Sequence, residues 1–354
     1  MKNPENLISE ELIETLLAQR AEQVLIESNE SNYSYSKILH TAVTISRKME
    51  TKPGERVFLR SSNPIFLICA FWAIWMRKSV TVPVNPIFPE KRVWALMNTC
   101  GSRLLLGSKR EFYEIPNHIQ ILDSGLLFED NSYKKTLDFK ILPPQEPASI
   151  IFTSGSTGLH KGAVLSLANF CYSALGANQQ MKLVPGDRWL LSLPLFHVGG
   201  LGIMFRCMLS GATMVIPELK QDLERSLRQY PITHLSLVPT QLQRLMDQNH
   251  VDLLKSLKLI LLGGAAQSSH LIEQAQKSGL RLMTSYGSTE MSSQVATGIP
   301  KKIDLTWSAC GKILPFREVK LSEGGEIMVR GSTRFMGYLK TESEFSNSGN
   351  LKLI

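Results

Sequence analysis

The chain lacks several features that would place it in a class at once. Its five cysteines, Cys69, Cys100, Cys171, Cys207 and Cys310, are scattered, and no C-x-x-C pair occurs among them. That pattern removes thiolate metal centres and dithiol redox motifs. An odd cysteine count without a secretory leader predicts reduced thiols in a cytoplasm. The strongest apolar run, Ile65 to Met76, has 12 residues and is too short to span a bilayer. No basic run exceeds two residues, and no nucleic-acid-binding motif is present, so a nucleic-acid partner is not expected. Two familiar phosphate loops are also missing. No Gly-Lys-Ser/Thr follows a glycine-rich stretch, and G-x-G-x-x-G has no match. Internal repeats and low-complexity tracts are absent.

What is present is an ordinary globular composition of 354 residues, 43% hydrophobic and 20% charged. That length can build two or three core-forming units. The net charge of +8 suits anionic small molecules. Asn63-Pro64 before the apolar run and Arg77-Lys78 after it mark the start and stop of a buried helix. Around it, Arg56–Ser61, Val80–Pro86 and Arg103–Gly107 read as strands alternating with helical stretches. Further on, Thr213–Ile216, Thr233–Thr240, Leu257–Ala266 and a stretch from Arg281 continue the alternation. Strands alternating with helices predict an α/β fold with mostly parallel sheets. From about residue 301 the pattern turns to short strands, with a hairpin about Glu323 to Gly325. The expected organisation is a first α/β subdomain over 1–150, a second over 151–300, and the start of a small β-rich subdomain over 301–354.

One segment calls for a ligand. TSGSTGLHKG, Thr153 to Gly162, holds three glycines, four hydroxyls and one lysine. Gly155, Gly158 and Gly162 can turn with positive φ and bring backbone N–H groups near an anion. Ser154, Ser156 and Thr157 add hydroxyl donors, and Lys161 adds a full charge. The preceding ASIIF reads as a buried strand, and the segment from Ser166 reads as a helix with Ser166 as N-cap. Strand, loop and helix form a setting for phosphate capture. Composition alone leaves a ligandless Gly/Ser turn equally open.

Three more polar or glycine-rich loops follow predicted strands: PLFHVGG after Leu193, GGAA after Leu262, and YGSTE after Ser285. Ligands of open α/β sheets gather at the carboxyl ends of strands, so four such loops suggest a shared cleft. Glu290 can carry Mg²⁺ on a nucleotide beside Thr289, or serve as a solvated first-turn acid. His197 can line an apolar pocket or be a structural histidine. Tyr286 can stack on a base or sit at a core edge.

Taken together, FTSGSTGLHKG, PLFHVGGLG, LLGGAA, SYGSTE and GGEIMVRG…FMGY resemble the adenylate-forming superfamily, in its order and at plausible spacing. That superfamily comprises acyl- and aryl-CoA ligases, luciferases and the adenylation domains of peptide synthetases. Within it, FHVGGL and TEMSSQ look most like the o-succinylbenzoate–CoA ligase branch. The resemblance implies an ATP-dependent acid–CoA ligase that forms an acyl-adenylate and then a CoA thioester, with ATP, Mg²⁺ and coenzyme A. It also implies residue roles. Thr153, Ser154, Gly155, Ser156, Thr157, Gly158 and Lys161 would hold the outer phosphates. Thr289 would contact the α-phosphate, and Glu290 would carry the metal. Gly263, Gly264, Ala265, Tyr286 and Gly287 would frame the adenine. His197, Gly199, Gly200 and Ser293 would lie near the acid. Of these, Lys161, His197, Thr289 and Glu290 form the implied catalytic set. Another aryl or acyl acid, or a non-catalytic adenylate-binding role, stays open.

The sequence departs from the family pattern in places. His160 stands where a proline is usual, and Leu167 where a histidine often stands. The family's Thr-Gly-Asp motif and its lysine-bearing C-terminal lid domain are not found up to Ile354. The expectation is therefore of a large N-terminal domain alone.

Overall fold

Burial of continuous apolar strands between helices dictates the architecture. The structure is a computed structural model that describes residues 7–126, 139–153, 161–218, 221–303, 306–307, 310–339 and 351–353. Two compact units are present. One comprises residues 1–24, 33–168 and 335–348; the other comprises 25–32, 169–334 and 349–354. The units thus interleave along the chain, whereas the sequence suggested consecutive stretches.

The first unit is organised around the sheet order Gly337–Tyr338, Lys161–Ser166, Pro147–Thr153, Val80–Pro83, Arg56–Arg60, Leu104–Gly107, Gln120–Asp123. The strands from Pro147–Thr153 to Gln120–Asp123 are parallel; the other two are antiparallel. The helix Pro64–Met76 forms as the sequence predicts. Asn63 Oδ1 accepts the N–H groups of Ile65 and Phe66 at 2.9 and 3.1 Å, and Pro64 begins the first turn. This helix is buried on all sides, and Trp75 Nε1 donates to the Ala148 carbonyl at 3.0 Å.

One local expectation is corrected here. A helix does follow Ser166 as expected, but the glycine-serine loop does not lead straight into it. Lys161–Ser166 is a strand antiparallel to Pro147–Thr153, and the helix Leu167–Met181 follows it. Ala163, Val164 and Leu165 are fully buried, so the segment is an inner strand, paired on its other side by Gly337–Tyr338. The loop therefore joins two strands and does not open a helix.

In the second unit the strands from Val24–Ser28 through Thr213–Ile216, Arg188–Leu190, His234–Leu237 and Leu259–Leu262 to Leu282–Ser288 are parallel. Ser293–Gly298 and Lys312–Ile313 close the edge antiparallel. Helices such as Val198–Ser210, Pro239–Asp247 and Ser269–Lys277 accompany them. Leu235, Ile260, Leu262 and Leu242 lie in its core. The predicted hairpin is present as Arg317–Leu321 paired with Ile327–Gly331, extended by Leu351–Leu353. The α/β class with mostly parallel sheets and a small antiparallel piece is thus observed.

At the start of the His234 strand the buried Asp187 and His234 meet the exposed Lys258. Lys258 Nζ contacts Asp187 Oδ1 at 2.6 Å, and Asp187 Oδ2 accepts the Val184 N–H at 3.0 Å. His234 is 2% exposed, and its Nδ1 lies 2.7 Å from Thr233 Oγ1. Burial pushes its pKa down to about 4; Lys258 and Arg206 add to the fall and Asp187 opposes it. The folded chain therefore holds a neutral ring where the unfolded chain takes a proton. This contribution is present above about pH 6.5 and is lost as pH falls toward 4. A His234→Gln variant should lose less stability than the parent between those pH values, by something of the order of 3 kcal/mol. Urea unfolding at both pH values checks this.

Candidate functional site

Three loops at the carboxyl ends of parallel strands converge on a cavity of about 390 Å³ within the second unit. The first follows Arg188–Leu190. It brings Leu193 and Pro194 to the wall and ends at His197, the N-cap of the helix Val198–Ser210. The second follows Leu259–Leu262 and supplies Gly263 and Gly264. The third is the end of Leu282–Ser288, which supplies Gly287 and Ser288, followed by Thr289.

Glycine is required where these loops pack closely. A Cβ on Gly200 would lie 2.3 Å from the Pro194 carbonyl oxygen, so the helix start can rest on the loop only without one. A Cβ on Gly287 would lie 1.8 Å from the Ser293 carbonyl oxygen. Here the ladder between Leu282–Ser288 and Ser293–Gly298 shifts register at Tyr286/Gly287. The turn between the two strands is the 3₁₀ segment Thr289–Met291, which carries both Thr289 and Glu290.

Of the residues singled out in the sequence, His197, Gly199, Gly263, Gly264, Gly287, Thr289 and Ser293 line this one cavity. Gly200, Ala265, Tyr286 and Glu290 adjoin lining residues in the chain but do not line it. Tyr286 packs against the small cluster of Met291, Val295 and Val329. His197 lies 4.7 Å from Phe196, ring to ring, and burial lowers its pKa, so its ring is neutral near neutral pH. In the first unit, Thr153 and Lys161 stand opposite each other in the antiparallel pair. Thr153 Oγ1 donates to the Lys161 carbonyl at 3.3 Å. Lys161 Nζ lies 5.3 Å from the centre of the Tyr338 ring. Ser154, Gly155, Ser156, Thr157 and Gly158 lie outside the described residues. Among the described residues no cluster of three His, Cys, Asp or Glu side chains is placed to hold a metal ion.

Among the wall residues that sequence reasoning missed, Arg206 and Gln294 carry polar groups buried without solvent. Arg206 is only 2% exposed, and it stands in the otherwise apolar helix VGGLGIMFRCMLS. A lone cation inside such a run was the signal available. Its Nη1 donates to Gln294 Oε1 at 2.9 Å, and its guanidinium carbon lies 4.6 Å from the Trp189 ring centre. Burial lowers its pKa to about 10, which leaves it a cation at neutral pH. Both Arg206 Nε and Gln294 Nε2 are buried donors without a partner among the described residues. Because Gln294 Oε1 is taken by Arg206, its amide nitrogen is the free end. Buried donors of this kind are expensive to leave unpaired, and a carboxylate is the acceptor that suits a guanidinium best.

Comparison with known proteins accords with this geometry. Residues 14–339 match the AMP-binding enzyme family. The 2-succinylbenzoate–CoA ligase of Salmonella typhimurium is 36% identical over 288 residues, which is 81% of this chain and 59% of that protein. The enzyme of the same name from Staphylococcus epidermidis is 30% identical over 339 residues, 92% of this chain and 70% of that protein. Wild-type Escherichia coli MenE, solved with a phenylether-linked analogue of OSB-AMS, matches with a TM-score of 0.81 and 28% identity. That match covers 98% of this chain and 75% of that one. This chain therefore spans 59% of the length of the Salmonella relative. With strand-end loops, cavity and sequence in agreement, the chain belongs to the AMP-binding enzyme family.

Proposed function

We propose that the chain carries the adenylation site of an ATP-dependent acid–CoA ligase whose acid is 2-succinylbenzoate or a close dicarboxylate. The observation that carries this reading is the buried cation Arg206 among the residues lining the cavity, with a guanidinium N–H that has no partner among the described residues. A dicarboxylic acid can place one carboxylate there and still present the other for reaction. A simple fatty or aryl acid would leave the cation unpaired.

The chemistry has two steps. In the first, a carboxylate oxygen of the acid attacks the α-phosphorus of ATP, and pyrophosphate leaves. In the second, the thiol sulfur of coenzyme A attacks the acyl carbon, the thiol proton is lost, and AMP leaves. The first step joins two anions, so fixed positive charge and N–H dipoles must face them. Thr153 to Gly158 and Lys161 are assigned to the β- and γ-phosphates, and the Thr289 hydroxyl to the α-phosphate. Gly263, Gly264, Ala265, Tyr286 and Gly287 frame the adenine. His197, Gly199, Gly200 and Ser293 lie beside the acid. Mg²⁺ commonly takes one or two carboxylates with phosphate oxygens completing its shell, and Glu290 supplies such a carboxylate. The ion would neutralise phosphate charge.

Among the described residues no helix is long and apolar enough to cross a membrane. With five free cysteines, a reducing cytoplasm is the proposed compartment.

The test is a melting-temperature series with stable sulfamoyl mimics of the acyl-adenylate carrying 2-succinylbenzoyl, benzoyl or fatty-acyl groups. At 100 times its Kd a mimic adds about 2.7 kcal/mol, a visible shift. The largest shift should come with the 2-succinylbenzoyl mimic. A larger shift with another acyl group would reassign the acid, and no shift with any would remove the adenylation reading. Lys161→Ala is expected to weaken Mg·ATP binding by roughly 10- to 100-fold, the range for losing one charged hydrogen-bond donor. Calorimetric titration measures it, and unchanged affinity would detach Lys161 from the phosphates.

A further inference from the structure

The turn that carries Thr289 and Glu290 ends on two consecutive non-glycine residues with positive φ. Ser292 has φ 54° and ψ 37°, and Ser293 has φ 106°. Side chains disfavour this region, so the surroundings must hold it in place. Ser292 is 1% exposed and fully engaged. Its N–H donates to the Thr289 carbonyl at 3.0 Å, and its Oγ donates to the Thr333 carbonyl at 2.8 Å. Its own carbonyl accepts from Ser173 Oγ at 2.7 Å.

Behind these groups lies a second buried arginine. Arg317 starts the strand Arg317–Leu321 and has no carboxylate partner among the described residues. Its Nε donates to Thr333 Oγ1 at 3.2 Å and its Nη2 to Ser173 Oγ at 3.4 Å. A Cβ on Gly176 would come 3.0 Å from Nη1, so the glycine makes room for the guanidinium. The hydroxyl logic is directional. A serine hydroxyl has one proton to give. With Arg317 donating to its oxygen, Ser173 directs that proton to the Ser292 carbonyl. Ser173, Ser292 and Thr333 are all buried, so water cannot replace these contacts.

We propose that Arg317 is a positioning residue for the turn Thr289–Met291. Acting through Ser173 and Thr333, it holds Ser292 in its left-handed conformation and so sets Thr289, Glu290 and the cavity residue Ser293. The functional consequence rests on the proposed role of Thr289 and Glu290 at the phosphates and metal.

The test compares the 354-residue chain with Arg317→Met. Two ligands divide the site: Mg·ATP needs the turn, and adenosine needs only the strand-end glycines before it. Arg317→Met should weaken Mg·ATP by about tenfold or more and change adenosine by no more than about twofold. Amide hydrogen exchange at residues 289–293 should rise about tenfold, with Leu259–Leu262 unchanged. Adding Ser292→Gly should recover part of the Mg·ATP affinity, because glycine adopts positive φ without help. Unchanged exchange at the turn overturns the proposal. So does equal loss of both ligands with exchange rising across the whole sheet, which would make Arg317 a general support of the fold. If the parent chain binds neither nucleotide, the functional reading fails, while exchange still decides the positioning role. Should Arg317→Met fail to fold, Ser173→Ala and Thr333→Val carry the same comparison.

Discussion

Arg206→Met is expected to weaken binding of the 2-succinylbenzoyl adenylate mimic by roughly 30- to 4000-fold, and to leave the chain at least as stable. The two halves of that expectation have one cause. Arg206 is a buried cation, and among the described residues no carboxylate pairs with it. Without ligand it bears a desolvation penalty that packing on Trp189 and one bond to Gln294 only partly offset. Methionine fills similar space without that penalty, and such exchanges are often neutral or stabilising. With ligand the balance reverses, because a carboxylate placed against methionine is buried without its partner. Truncating one side of a buried charge pair costs about 2–5 kcal/mol, which sets the range of the loss. The same mimic without the ring carboxylate should bind the variant no worse than the parent. Calorimetric titration of both mimics, with thermal melting of both proteins, measures the two effects. Equal loss for both mimics would assign Arg206 a structural role.

Gly287→Ala should have a similarly large effect for a different reason. The added Cβ would lie 1.8 Å from the Ser293 carbonyl oxygen and 2.9 Å from Gln294 Cα. Both are backbone atoms of the paired strand and cannot rotate aside. The register shift at Tyr286/Gly287 depends on this approach, so the strands must part beside the cavity wall. Overpacking of this kind costs about 1–3 kcal/mol and sometimes more. The melting temperature should fall by several degrees, and adenylate-mimic affinity by about 100-fold, as Gly287, Ser288 and Thr289 move together. Gly324→Ala is the control. A Cβ there meets only Ser322 Oγ at 3.8 Å, so neither stability nor binding should change. Retained mimic affinity in Gly287→Ala would separate this strand end from the ligand.

Much of this was legible in the sequence because it was written in local terms. The buried helix Pro64–Met76 carried its own cap, its apolar run and its basic stop. The Arg317–Gly331 hairpin announced itself by alternation around a glycine turn. His197, Gly263, Gly287 and Thr289 were found because strand-end loops carry unusual residues, and they do line one cavity. Other features depend on tertiary partners. Lys161–Ser166 was not read as a strand because nothing local shows that Gly337–Tyr338, far along the chain, pairs with it. Arg206 left only the faint signal of a lone cation in an apolar helix, and Arg317 left none, because their significance lies in what they lack, an acidic neighbour. Ser292 gave no signal either, since its backbone conformation is held by Ser173 and Thr333 from distant segments.

The most direct test of the central claim is a crystal structure of the chain with the 2-succinylbenzoyl sulfamoyl adenylate mimic. The account predicts the adenine beside Gly263, Gly264 and Gly287. The sulfamoyl group should lie at Thr289, and the ring carboxylate should accept from Arg206 Nε and Gln294 Nε2. A mimic seated elsewhere, or one whose carboxylate turns to solvent while Arg206 stays unpaired, would contradict it.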